Sequence, residues 1–129
     1  MNFEIAEKYH IQFFPDATPE GQWIQFGEEL CEMLRAETLS KAMDEYGDLL
    51  FVIVSFNRFE NTRAAGRDLM QKYYFDLPPE ERKAVMKRLE KAILKVSERV
   101  RKGLYTNKNG LYTRKKIYSI VGDCFYEEK

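Results

Sequence analysis

The sequence has few of the residues that build disulfide-rich or zinc-binding scaffolds. It contains 2 cysteines, Cys31 and Cys124, far apart in the chain, and a single histidine, His10. Two distant cysteines give neither a disulfide framework nor a zinc-ligand pattern. His10 is not patterned with a serine or cysteine nucleophile, so the sequence does not predict a catalytic triad.

Long hydrophobic runs are also missing. The longest, residues 49–56, is far shorter than the roughly 18 to 20 residues that a membrane-spanning helix needs. The first residues place Glu4 and Glu7 beside Lys8, against the basic-then-apolar order of a signal peptide. We therefore expect a soluble, cytoplasmic protein with no membrane partner, and 129 residues suit one domain with a buried core.

Net charge is zero, but the two signs are separated along the chain. Residues 1–48 hold 11 acids against 3 bases, and the remainder holds 18 bases against 10 acids. Such a division is typical of an acidic cation site that faces a basic anion site, and it also arises from solvated helix faces. Charge alone does not choose between the two.

The spacing of apolar residues predicts an all-α protein, a helical bundle in a single domain over residues 1–129. Thr18, Pro19 and Glu20 form a helix start, with a capping hydroxyl, proline in the first turn and an acid beside it. We predict helices over about 3–14, 19–36, 39–60, 61–75 and 79–103, then a loop or small hairpin over 103–112 and a last helix over 113–126.

Two predicted helices have faces that matter for the function. On the helix over 19–36, Trp23, Gly27, Leu30 and Leu34 define the expected apolar face. The next helix is apolar all round over residues 49–56, so this end must be enclosed by neighbouring helices or by a second subunit. We therefore expect a homo-oligomer, a dimer or tetramer.

Five carboxylates lie on these two helices. Glu28, Glu29 and Glu32 spread over about 100° of the first, and Glu45 and Asp48 share one side of the second. Consecutive helices with a short connection pack antiparallel, so the two groups can meet across the interface. Carboxylates that meet repel one another unless cations neutralise them, and hard divalent ions such as Mg²⁺ or Mn²⁺ prefer oxygen ligands.

A solvated helix face is the alternative for Glu28, Glu29 and Glu32, which lie mostly opposite Leu30. It is harder to apply to Glu45 and Asp48. The same side of their helix continues as Val52, Phe56 and Phe59, an apolar packing surface on which a carboxylate needs a partner.

The spacing Glu28-Glu29-Leu30-Cys31-Glu32, twelve intervening residues, then Glu45-Tyr46-Gly47-Asp48 resembles the EExxE and ExxD motifs of the MazG-like all-α nucleotide pyrophosphohydrolases. The apolar run after Asp48 resembles the helix that follows the second motif in that family. The resemblance covers residues 19–60. Residues 61–129 form a helical extension that does not align, and the usual downstream Lys-x-x-Asn is not evident.

The resemblance implies a Mg²⁺-dependent hydrolase that cleaves nucleoside triphosphates to the monophosphate and pyrophosphate. Position by position, it makes Glu29, Glu32, Glu45 and Asp48 the metal ligands. Glu28 is implied as a further ligand or as the base, so the implied catalytic residues are Glu28 and Glu29. Mn²⁺ is the implied substitute for Mg²⁺.

Further candidates contact the substrate or offer a second function. For the triphosphate we select Arg58, Lys108, Asn109 and Arg114, and for the base Trp23, although an aromatic on the Leu30 face is more often core. Residues 82–116 hold 13 bases against 2 acids. The alternative function is therefore a non-catalytic helical interaction protein that binds nucleic acid through this region; a solvated helix face explains the same bases, and we favour that explanation.

Overall fold

The computed structural model describes residues 1–102, and these residues contain helices and no strand. The all-α prediction is confirmed for them. The predicted hairpin or loop over 103–112 and the last predicted helix lie outside the described residues. The five α-helices are α1 (Phe3–Phe13), α2 (Pro19–Leu34), α3 (Leu39–Ser55), α4 (Glu60–Met70) and α5 (Pro79–Arg101).

The helix starts follow from local capping. The Thr18 hydroxyl accepts a hydrogen bond from the Gly21 N–H at 3.0 Å, as the sequence predicts for the start of α2. At the start of α3, the Thr38 hydroxyl accepts from the Lys41 N–H at 3.1 Å. Residues 35–38 are thus a short connection, which forces α2 and α3 to pack as neighbours.

Two helix ends differ from the predictions. The helix expected to reach residue 60 ends at Ser55, and a 3₁₀ turn, Phe56–Arg58, follows it. Phe59 is extended, and the Thr62 hydroxyl donates to the Phe56 carbonyl at 2.7 Å, which holds the break. The helix predicted over 61–75 is α-helical over Glu60–Met70, and its last part is a π-helical turn, Gln71–Phe75.

The core surrounds α3, which is contacted by α2 and α5 most extensively and also by α1 and α4. Residues 49–54 are all buried. The prediction that neighbours must enclose this apolar run is confirmed, and the neighbours belong to the same chain. The run therefore no longer argues for a second subunit. None of the helices within residues 1–102 is long and apolar enough to cross a membrane.

The apolar face predicted for α2 is correct at Leu30, which packs against the core, and wrong at Trp23 and Leu34. Trp23 and Leu34 are 46% and 70% exposed, whereas Gln22, Glu28 and Cys31 are buried. The packed side of α2 is therefore partly acidic. The prediction failed at Trp23 and Leu34 because polar side chains, among them Gln22 and Glu28, occupy part of the packed side.

Gly47 permits a close approach of α3 and α5. A Cβ atom at this position would collide with the Arg88 backbone carbonyl, so only glycine fits. The contact brings the basic side chains of α5 against α3. Arg88 and Lys91 bind Asp44, and Lys95 binds Asp48. Because the residue numbers of the partners increase together, α3 and α5 run in the same direction.

Candidate metal centre

Three carboxylates from α2 and α3 meet where the sequence predicts their convergence. The two helices run antiparallel, since Gln22 near the start of α2 donates to Ser55 at the end of α3 at 2.7 Å. Farther along α2, Glu29, Glu32 and Glu45 each offer a carboxylate oxygen, and these oxygens lie within 4.8 Å of one another. One ion can contact all three.

The carboxylates line a pocket with a volume of about 250 Å³ between α2, α3 and α5. Its wall includes all five acidic residues of the two motifs and the basic side chains of Lys95 and Arg99 on α5. The pocket therefore presents both signs of charge. It suits a cation on the acidic side and an anion beside the bases.

The burial of the carboxylates tests whether they suit a metal ion. Oε2 of Glu29 and Oε2 of Glu45 are buried and accept no hydrogen bond from any of residues 1–102. A buried carboxylate oxygen without a donor is costly, and coordination to a cation removes that cost. The oxygen-only donor set matches Mg²⁺ or Mn²⁺. The residues present therefore fit a hard divalent ion.

The raised pKa values of the carboxylates show that burial and mutual repulsion disfavour their ionised forms. Burial, and then repulsion from Glu32, Asp48, Glu28 and Glu45, raises the pKa of Glu29 to about 10. Burial is also the main reason that the pKa values of Glu45 and Asp48 are raised. The cluster thus favours protonation where no metal is bound, and a divalent cation would restore the carboxylate form.

Asp48, a predicted metal ligand, lies in the pocket but outside the group of three. Its Oδ2 is 2.7 Å from Nζ of Lys95, and its side chain is 13% exposed. Burial opposes the charge on Lys95, yet the hydrogen bond and the charge of Asp48 outweigh it and raise the pKa of Lys95. The sequence distinguished Lys95 in no way from the other bases of residues 82–116.

Two of the predicted substrate contacts, Arg58 and Trp23, do not line this pocket. Arg58 donates to the Phe14 carbonyl at 2.9 Å and contacts Nδ1 of His10 at 2.8 Å. Its guanidinium is therefore bound to residues at the end of α1. Trp23 packs edge-on against Phe56 at 4.8 Å and is absent from the pocket wall. Lys108, Asn109 and Arg114 lie outside the described residues.

His10 lies in the pocket wall, which the sequence did not suggest. It is 2% exposed, and burial, together with the Arg58 charge, lowers its pKa to about 3. Because Arg58 can only donate, Nδ1 of the neutral ring must accept, and Nε2 lies 3.3 Å from the side-chain nitrogen of Gln22. His10 therefore adds a neutral, fixed ring to the pocket.

Within residues 1–102 the pocket combines a carboxylate cluster, a neutral histidine and two basic side chains. This set can hold a divalent ion and a polyanion together, the arrangement used for phosphoryl chemistry. Comparisons of the sequence with protein-family models, curated proteins and solved structures found no match.

Proposed function

We propose that the protein is a MazG-like, Mg²⁺-dependent nucleoside triphosphate pyrophosphohydrolase that releases the nucleoside monophosphate and pyrophosphate. The observation that carries the proposal is the approach of carboxylate oxygens from Glu29, Glu32 and Glu45 to within 4.8 Å of one another. They lie in one pocket with Lys95 and Arg99. Opposite charges in this arrangement suit a metal-bound phosphate chain.

Four residues are proposed as the metal ligands: Glu29, Glu32, Glu45 and Asp48. Bound Mg²⁺, or Mn²⁺ in its place, would offset phosphate charge and lower the pKa of a water molecule. The helices hold the ligands in position, because the short connection and the capped start of α3 fix its packing against α2. Preorganised ligands need little rearrangement when the ion binds.

Glu28 is proposed as the general base, and Glu29 as a metal ligand that also orients the attacking water. Glu28 is 6% exposed and lines the same pocket. In the reaction, water oxygen bonds to the α phosphorus, and the bond from this phosphorus to the bridging oxygen breaks. Pyrophosphate leaves with the electron pair, and the carboxylate takes the water proton.

The basic side of the pocket changes the proposed substrate contacts. Arg58 and Trp23 do not line the pocket, whereas Lys95 and Arg99 do, so the geometry favours Lys95 and Arg99 for the phosphates. Lys108, Asn109 and Arg114 stay predictions. A cytoplasmic location also stays a prediction, and the pocket selects no particular nucleobase.

A homo-oligomer remains part of the proposal. Leu34 and Leu39, on either side of the connection between α2 and α3, are 70% and 79% exposed, and Leu94 on α5 is 71% exposed. Leucines that are exposed singly are common on monomers, so a contact with a second copy requires that these three form one patch. Size-exclusion chromatography with light scattering distinguishes a dimer or tetramer from a monomer.

The alternative is a non-catalytic interaction protein that binds nucleic acid through residues 82–116, and some of the bases within residues 82–102 already have acidic partners. There Arg88, Lys91 and Lys95 are in ion pairs with aspartates of α3. Phosphate groups would have to displace these partners.

The experiment that tests the proposal is hydrolysis of a panel of ribo- and deoxyribonucleoside triphosphates with Mg²⁺. Products are separated so that pyrophosphate and phosphate are scored independently. Pyrophosphate and monophosphate in equal amounts support the proposal. Release of phosphate alone, or no product from any nucleotide, refutes it.

A further inference from the structure

Lys95 connects the acidic and basic parts of the pocket. Its Nζ lies 2.7 Å from Oδ2 of Asp48, and the side chains are 40% and 13% exposed. Asp48 is one of the proposed metal ligands. A cation of the protein itself therefore contacts a carboxylate that a divalent ion would use.

A second pair one helical turn away provides an internal comparison. Lys91 Nζ lies 3.0 and 3.1 Å from the two oxygens of Asp44, with side chains 66% and 33% exposed. Asp44 also binds Arg88, and neither Lys91 nor Asp44 lines the pocket. The two lysine–aspartate pairs thus join the same two helices, but only the pair of Lys95 borders the carboxylate cluster.

Competition for Asp48 follows from charge and geometry. A divalent ion that takes Asp48 as a ligand repels the ammonium a few ångströms away. Lysine carries a compact charge on a flexible stem, and the partly exposed Lys95 has room to move. Arg99, one turn farther along α5, lines the same pocket, so a displaced ammonium would lie next to a second cation. A phosphate anion would neutralise the displaced ammonium.

We propose that Lys95 is a movable counter-ion, which neutralises Asp48 until a divalent cation binds and then contacts the phosphate chain of the substrate. The second half of this inference rests on the proposed function. Removal of the Lys95 charge should have opposite effects on two ligands. It should strengthen the binding of the metal alone and weaken the binding of a metal-bound polyphosphate.

The first measurement is a Mn²⁺ titration of the full chain, with free Mn²⁺ followed by electron paramagnetic resonance. In Lys95→Met the dissociation constant should fall about fivefold or more, the size expected for one charge a few ångströms from the ion in a partly solvated pocket. Lys91→Met is the matched control and should bind Mn²⁺ like the wild type. Lys95→Arg keeps the charge and should also stay near the wild type.

The second measurement is calorimetric titration with preformed Mn²⁺–tripolyphosphate. Lys95→Met should bind this complex about tenfold more weakly than the wild type, because a charge-assisted contact is lost. Lys91→Met should be unchanged. Circular dichroism checks folding, and Lys95→Gln, which can still donate to Asp48, replaces Lys95→Met if the latter does not fold.

The results separate this inference from the proposed function. Unchanged or weaker Mn²⁺ binding in the neutral Lys95 variant overturns the counter-ion role, and unchanged tripolyphosphate binding overturns the phosphate contact. Both assays measure binding. A wild type that binds Mn²⁺ but cleaves no nucleotide therefore refutes the proposed function. The counter-ion role is then still decided by the Mn²⁺ titration of the Lys95 variants. A wild type that binds no Mn²⁺ overturns both.

Discussion

The substitution Glu29→Gln should stabilise the metal-free protein at alkaline pH while removing its response to Mg²⁺. The pKa of Glu29 is raised from 4.5 to about 10, first by burial and then by the neighbouring carboxylates. Between these values the native state keeps a proton that the unfolded state releases. Stability must therefore fall as pH rises through this window. Glutamine stays neutral and escapes that loss.

The magnitude follows from the width of the pH interval that is compared. A comparison of about pH 7 with about pH 9 lies above the range in which His10 titrates, since its pKa falls from 6.5 to about 3 on folding. One group that binds an extra proton in the native state costs ~1.4 kcal/mol per pH unit. We expect the wild type in EDTA to lose up to ~3 kcal/mol over the two units, and Glu29→Gln to lose much less.

The assay is urea unfolding in EDTA and in excess Mg²⁺ at both pH values. Mg²⁺ binds the carboxylate form in the native state only, so it should stabilise the wild type more at about pH 9 than at about pH 7. Glu29→Gln lacks one ligand and should gain little from Mg²⁺. Glu37→Gln is the control, because Glu37 is exposed in the connection between α2 and α3.

Two outcomes would refute this reasoning. In the first, the wild type in EDTA loses as little stability between the two pH values as Glu29→Gln does, so that Glu29 holds no proton in the native state. In the second, Mg²⁺ stabilises the wild type and Glu29→Gln equally, so that Glu29 is not a ligand.

Two further predictions concern α5. Gly47→Ala should destabilise the fold by ~2 kcal/mol in urea unfolding. The cost of overpacking against the backbone of α5 should exceed the ~1 kcal/mol that alanine gains over glycine within a helix. A more stable variant would contradict the close contact. Short DNA and RNA oligonucleotides should bind only weakly near physiological salt, since Arg88, Lys91 and Lys95 already have acidic partners. Tight retention that weakens steeply with salt in a filter-binding assay would favour the interaction-protein alternative.

The sequence predicted the helices well where local signals determine them. The cap at Thr18 and the apolar run over 49–54 depend on neighbouring residues, so periodicity and capping were enough to predict them. The end of α3 was misplaced because the break depends on the hydrogen bond from Thr62 back to Phe56. That contact is visible only in the folded chain.

The convergence of Glu29, Glu32 and Glu45 was predictable from spacing and helix geometry. The partner of Asp48 was not, because Lys95 is one of several bases on α5 and only the contact at Gly47 sets which of them reaches the pocket. The inward side of α2 was missed for a related reason. Carboxylates face α3 there, and the apolar pattern does not report a buried polar site.

Pyrophosphate release by Glu32→Gln and Asp48→Asn tests the central claim most directly. Each substitution keeps the shape of a proposed ligand and removes its charge, so both variants should lose at least ~100-fold in rate at saturating Mg²⁺ while keeping the circular dichroism of the wild type. Glu37→Gln should retain the wild-type rate. Wild-type rates in all three variants would contradict the metal centre proposed at Glu29, Glu32, Glu45 and Asp48.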